Sequence, residues 1–217
     1  MLLGVPREVK VHEYRVGLTP ASVAELVAAG HQVLVEVNAG AGIDFTDADY
    51  RQSGAEIVST ADELFARAGM VVKVKEPQTD ECRMLRPGQV LFAYLHLAPD
   101  PEQTRLLIES GASCIAYETI TDTEGRLPLL TPMSRIAGRV AVQEGAHHLC
   151  CPQGGRGLLM AGVPGVEPAQ VLIIGGGVVG ENALQMALGM GAGVCVLDKS
   201  EKRLRELRAR YGDSASY

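Results

Sequence analysis

The stretch VLIIGGGVVGENA, residues 171–183, decides the fold. Its apolar run reads as a buried strand, its glycines break that strand, and the residues after them take up helical spacing. Gly175, Gly177 and Gly180 form a G-x-G-x-x-G pattern after a strand and at the start of a helix, the context in which it reads as a phosphate turn. Glycines there let the backbone turn sharply and let a pyrophosphate reach the N–H groups of the helix N-terminus, where the helix dipole favours an anion. The next strand, VCVLD, ends in Asp198, 23 residues after Gly175. An acid at that point hydrogen-bonds ribose hydroxyls and repels a 2′-phosphate, so the pattern favours NAD over NADP. Lys199 and Arg203 weaken that preference slightly. A glycine-rich turn without a nucleotide is the alternative, and the company of strand, helix and acid argues against it.

Upstream, strand-like and helix-like segments alternate. LLGVP precedes a helix that starts at Thr19–Pro20 and closes at Gly30. QVLVEV, AEIV, MVVKVK (70–75), VLFAYL (90–95) and SCIAYE (113–118) read as strands with helices between them. Thr60 with Glu63 reads as a capping box. This rhythm predicts a mostly parallel sheet covered by helices. YETITDTEGRLPLL then reads as two short strands around a turn at Thr123–Gly125. A helix of about five turns follows from Thr131–Pro132 to about Leu149, and PQGGRGLLMAGVPGVEP is a linker. The expected class is therefore α/β with two domains. Residues 1–130 form a parallel α/β domain, and residues 131–217 form a Rossmann-type NAD-binding domain that is incomplete.

With 217 residues, 47% of them hydrophobic, the chain can bury a core, and its net charge of −6 without a basic face argues against nucleic acid and anionic membrane surfaces. No apolar run reaches membrane-spanning length, and charge arrives too early for a signal peptide. The five cysteines, with no C-x-x-C pair, suit reduced thiols in the cytoplasm. The patch HHLCCP (His147, His148, Cys150, Cys151) matches no zinc spacing, so no metal site is expected. It reads as two apolar-face cysteines and two exposed histidines at a helix end.

Lys75 and His96 each stand at the C-terminal end of an expected parallel strand, and Arg15 lies in the loop after the first strand. Ligands of open α/β sheets bind at that edge. An arginine grips a carboxylate with two prongs, an ammonium polarises a carbonyl, and an imidazole moves a proton near neutral pH. The three together suit a small carboxylate bearing a carbonyl or amine. Taken singly, the bland readings win: a lone lysine at a strand end is more often a solvated charge, and a lone histidine before LAPDP is more often a loop residue.

GVPREVKVHEYRVGLTP, VVKVKEP, LFAYLHLAPDPEQT, PLLTPMSRIAGRVAVQEGA, GGRGLLMAGVPGV and VLIIGGGVVGENA, in that order, resemble the N-terminal portion of the alanine dehydrogenase family. The likeness runs to about residue 210. The chain is more distantly similar to the nucleotide-binding alpha subunit of nicotinamide nucleotide transhydrogenase, which lacks a histidine at the position of His96. The resemblance implies NAD-dependent, reversible conversion of L-alanine to pyruvate and ammonia. It makes residues 1–130 the substrate domain, with Arg15 on the substrate carboxylate, Lys75 on the carbonyl or imine, and His96 as the acid/base group. Ser134 would reach the cofactor, Val178 and Val179 would turn backbone N–H groups to the pyrophosphate, Asp198 would hold the adenosine ribose, and Arg203 would lie beside the adenine. Homo-oligomers, commonly hexamers, are implied as well. Family members continue past this chain with further Rossmann strands and another acidic catalytic residue. The chain is therefore expected to be a C-terminally truncated member, with transhydrogenase-like binding or a non-catalytic fragment as the alternatives.

Overall fold

The computed structural model describes residues 1–217 as two compact units, Met1–Thr121 and Asp122–Tyr217, so the division falls ahead of the expected residue 130. The first unit holds one six-stranded sheet with β1 (Leu2–Val5), β2 (Gln32–Glu36), β3 (Glu56–Val58), β4 (Met70–Val72), β5 (Val90–Ala93) and β6 (Ser113–Ala116). Its order is β3-β2-β1-β4-β5-β6 and every neighbouring pair is parallel. The order reverses between β1 and β4, which makes the carboxyl ends of those two strands the switch point of a doubly wound sheet.

Helices α1 (Pro20–Ala28), α2 (Asp47–Gln52), α3 (Ala61–Arg67), α4 (Thr79–Met84) and α5 (Pro101–Ser110) fill the crossovers. Alternation along β2 shows how they cover the sheet. Val33 and Val35 enter one core with Val23 of α1 and Tyr50 of α2, while Leu34 enters another with Leu64, Phe65, Cys82 and Leu107. Both faces are buried, which is why these strands read as continuous apolar runs. Thr19 caps α1 through the N–H of Ser22 (3.3 Å). Thr60 caps α3 through the N–H of Glu63 (3.2 Å), but Glu63 turns its carboxylate to Arg67 (2.8 Å), so the expected reciprocal box is only half formed.

The second unit contains α6 (Thr131–His148), β7 (Gln170–Ile174), α7 (Val178–Gly189), β8 (Gly193–Leu197) and α8 (Glu201–Tyr211). β7 and β8 pair in parallel, and Ser216 adds a bridge to the far side of β8 at Cys195. Val142 of α6 shares a core with Leu184 and Ala187 of α7, Val194 and Val196 of β8, and Leu207 of α8.

Two expectations are corrected. YETITDTEGRLPLL forms no pair of strands: Tyr117–Thr119 is a single 3-10 turn. The turn itself exists: the Asp122 carboxylate accepts the N–H groups of Glu124 and Arg126 (both 2.9 Å), and backbone bonds from Asp122 N–H to the Arg126 carbonyl (2.9 Å) and from Gly125 N–H to the Asp122 carbonyl (3.0 Å) close it. Pro128 then lacks the N–H a ladder needs. The HHLCCP cysteines do not face an apolar core, for α6 ends at His148 and both Cys150 and Cys151 are exposed. No group of three or more His, Cys, Asp or Glu side chains is placed to hold a metal ion, and no helix is long and apolar enough to cross a membrane. Burial separates the thiols further, pushing Cys82 up to about 11. Iodoacetamide on the native chain should therefore label Cys150 and Cys151 and spare Cys82, read by peptide mass; equal labelling of Cys82 would contradict the packing.

Candidate functional site

In the first unit the residues expected at the sheet edge gather beside the switch point. Arg15 follows β1, and Lys75 and His96 each stand three residues past the ends of β4 and β5. Glu13 grips one side of the Arg15 guanidinium, accepting from Nε at 2.8 Å and Nη2 at 2.6 Å. Those hydrogen bonds hold the Glu13 carboxyl below its usual range, and the charge of Lys75 lowers it further. Arg15 also acts electrostatically on the Tyr94 phenol, whose ring lies within 9° of parallel to the His96 imidazole at 5.9 Å between centroids. Arg15, Lys75 and His96 thus belong to one neighbourhood with Glu13 and Tyr94.

Beneath that edge lies an ion cluster that sequence reading missed. Lys73, fully buried, donates to Glu81 at 2.6 Å and pairs with Glu8 at 3.4 Å. Glu8 in turn accepts the backbone N–H groups of Val74 (2.7 Å) and Lys75 (3.4 Å). Burial pushes the Glu8 carboxyl up, against the pull of Lys73. The chain leading to Lys75 is therefore tied down by an internal carboxylate. In sequence, VVKVKEP presents Lys73 and Lys75 as equivalents, since both share one strand phase.

His96 is held in the left-handed region at φ 46°, one of only four non-glycine residues with positive φ. Such a conformation costs on the order of 1–3 kcal/mol and persists only where the surroundings enforce it. Here Glu118 accepts the N–H groups of both Leu95 (3.1 Å) and His96 (2.8 Å).

In the second unit the three motif glycines have three different reasons. Gly175 has φ 102°, which L side chains rarely adopt. A Cβ on Gly180 would sit 1.8 Å from the Gly175 carbonyl oxygen. Gly177 has neither constraint: its φ is −66° and a Cβ there would meet nothing within 4 Å. The protein itself does not require glycine at 177, and the open space lies where a phosphate approaches the start of α7. The N–H groups of Val178, Val179 and Gly180 precede the first bond of the helix, Glu181 N–H to Gly177 O (2.9 Å), and so stand at its open end. A cavity of about 420 Å³ opens at the ends of β7 and β8, lined by Gly175, Leu197, Asp198 and Lys199 among others.

Asp198 accepts from Gly176 N–H (2.6 Å) and Ser200 N–H (2.8 Å), which hold its carboxyl below the usual range. Arg203 donates Nε to the Gly176 carbonyl (2.6 Å) and pairs with Glu181, which also binds Arg210. Both ends of Gly176 are thus anchored, a role for Arg203 and Glu181 not legible in the motif. Ser134 is half-buried in the first turn of α6, one turn ahead of Gly138. There α6 lies so close to α7 that a Cβ on Gly138 would come within 2.2 Å of the Val179 carbonyl.

A doubly wound parallel unit with Arg15, Lys75 and His96 beside its switch edge, and a second unit built on a strand, a glycine turn and a helix, define a parallel α/β protein of two units. Residues 4–137 match the N-terminal domain of the alanine dehydrogenase/PNT family and residues 141–216 match its C-terminal domain. The chain belongs to that family. It is 57% identical to the alanine dehydrogenase of Halomonas elongata over 97% of this chain and 57% of that protein. Identity to the alanine dehydrogenase of Mycobacterium tuberculosis is 53%, with the same two coverages. A solved L-alanine dehydrogenase superposes with a TM-score of 0.90 at 50% identity, covering all of this chain and 60% of that one. A transhydrogenase from Sinorhizobium meliloti gives 0.81 at 26% identity, over all of this chain and 63% of its own. The chain therefore spans a little under three fifths of the length of the curated relatives it matches.

Proposed function

We propose that the chain carries the substrate unit and the adenosine-binding turn of an NAD-dependent L-alanine dehydrogenase. The reaction converts L-alanine, NAD⁺ and water to pyruvate, ammonium, NADH and a proton. The observation that carries this reading is the gathering of Arg15, Lys75 and His96 at one switch edge, in a chain whose relatives bear that name. Arg15 would bind the substrate carboxylate through its guanidinium. Lys75 would place its ammonium against the carbonyl or imine and draw electron density from the carbon being attacked. His96 would take a proton from the water that adds to the imine carbon and return one to the departing nitrogen.

For the cofactor, Gly175, Gly177, Gly180, Val178 and Val179 would cradle the pyrophosphate, Asp198 would hold the adenosine ribose, and Ser134 would reach the cofactor from α6. Arg203 would act beside the adenine while anchoring the turn. The bound nicotinamide supplies a two-electron hydride acceptor. The space left at Gly177 and the carboxylate at Asp198 fit such a dinucleotide. The reading includes a cytoplasmic location and a homo-oligomer, and light scattering of the purified chain tests the second.

The test is NADH oxidation by the full chain with pyruvate and ammonium, omitting each in turn. Turnover that needs both supports the dehydrogenase. NADH oxidation that needs a second, oxidised nicotinamide nucleotide as hydride acceptor, and neither pyruvate nor ammonium, would favour the transhydrogenase-like reading, and silence from a folded chain in both assays would make it a non-catalytic portion of the family.

A further inference from the structure

Three elements converge on the peptide between Leu95 and His96. Its flanking N–H groups, those of Leu95 and His96, point at one carboxylate, that of Glu118 in the 3-10 turn Tyr117–Thr119. Its carbonyl accepts Nε2 of Gln103 at 2.9 Å, a buried side chain from the first turn of α5. Successive N–H groups beside a left-handed residue form a concavity for an anion. In this protein the anion is an internal carboxylate.

The same turn sets the ring against which the imidazole rests. Tyr117 packs edge-on to Tyr94 at 5.0 Å between centroids, and the Tyr94 ring lies parallel to the His96 ring. Tyr94 is itself fixed at its backbone, donating N–H to the Val74 carbonyl at 3.0 Å. A histidine released from positive φ would relax to negative φ, swinging its Cα–Cβ bond and carrying the imidazole off the Tyr94 ring. The Gln103 amide and the Glu118 carboxylate both hydrogen-bond this backbone.

We propose that Glu118, backed by Gln103, is the positioning residue of His96: its carboxylate fixes the left-handed backbone that aims the imidazole, and it acts on the reaction only through His96. The inference rests on His96 being the proton-transfer group of the preceding section. Its first half, the hold on the backbone, stands independently of that reading.

The experiment compares the full chain with Glu118→Ala and Glu118→Gln by NMR and by kinetics. The native chain should show the strong intraresidue amide-to-Hα contact that marks positive φ at His96, and Glu118→Ala should lose it. Glu118→Gln, which keeps an acceptor oxygen and its size, should retain part of it. With pyruvate as the probe, kcat for amination should fall roughly tenfold to a hundredfold in Glu118→Ala, the scale of a displaced catalytic group. KM for pyruvate and NADH binding should stay within about twofold, because Arg15 and Lys75 are untouched. Glu118→Gln should recover part of kcat, and it supplies both readouts if the alanine variant does not fold. A His96 backbone signal unchanged in Glu118→Ala and Glu118→Gln overturns the proposal, as does a loss borne by KM with kcat intact. A native chain that shows positive φ at His96 but no response to pyruvate refutes the functional reading and leaves the backbone hold to be judged on the amide signal.

Discussion

Gly180→Ala should destabilise the second unit by about 3 kcal/mol or more, at the upper end of what overpacking costs. The reason is the identity of the obstructing atom. The new methyl would sit 1.8 Å from the carbonyl oxygen of Gly175 and 2.9 Å from its carbon, both backbone atoms that no rotamer change can move. Relief requires α7 to lift away from β7, and α7 carries Leu184 and Ala187 into the core of that unit. The loss should appear as a lower urea midpoint for the second unit. Gly177→Ala is the internal control, because a methyl there meets nothing within 4 Å and the backbone is at φ −66°. It should leave stability within about 0.5 kcal/mol, as changes at open positions do. The two variants separate fold from function: a dinucleotide at the turn makes Gly177→Ala weaken NADH binding without any loss of stability, whereas an empty turn tolerates it in both assays. A Gly180→Ala variant as stable as the native chain would show that the turn is not packed as described.

What the sequence disclosed, and what it withheld, follows from the range of the interactions involved. The glycine turn was legible because its strand, its glycines and Asp198 lie close along the chain and each obeys a local rule. The strands of the first unit were legible because burial on both faces writes apolar runs into them. Arg15, Lys75 and His96 could be placed on one edge because parallel strands must all end there. Their supports could not. Glu8 and Glu118 reach their backbone partners across separations of 66 and 22 residues or more, and nothing in REVK or YETI marks either carboxylate as internal. YETITDTEGRLPLL reads as strands because a strand-like composition meets a turn signal, whereas the turn closes on itself between Asp122 and Arg126 and no strand pair extends from it. Lys73 is the sharpest case. Pattern sets it beside Lys75, and only the packing of α4, which brings Glu81 over β4, separates a buried ion from a half-exposed one.

That cluster carries the other large effect. Lys73→Met should cost about 3–5 kcal/mol of stability near neutral pH, the range found when one partner of a buried ion pair is removed. Two carboxylates, Glu8 and Glu81, would remain inside the first unit with no cation between them. The methionine fits the space of the lysine stem, so the loss would be electrostatic rather than steric. Its pH dependence gives the signature. Burial already raises the Glu8 carboxyl above its ordinary 4.5, and removing Lys73 takes away the charge that opposes that rise. A carboxyl raised in the folded state binds its proton more tightly there than in the unfolded chain. Its contribution is therefore fully present below 4.5 and is lost as pH climbs through the folded value. The deficit of the variant relative to the native chain should accordingly narrow as pH falls from 7 toward 4.5, and the double variant Lys73→Met, Glu8→Gln should show a smaller deficit at pH 7. Paired urea denaturations across that window decide the matter. A deficit that stays constant with pH would mean that the lysine contributes packing alone, and that the carboxylate tied to the Lys75 backbone does not depend on its buried cation.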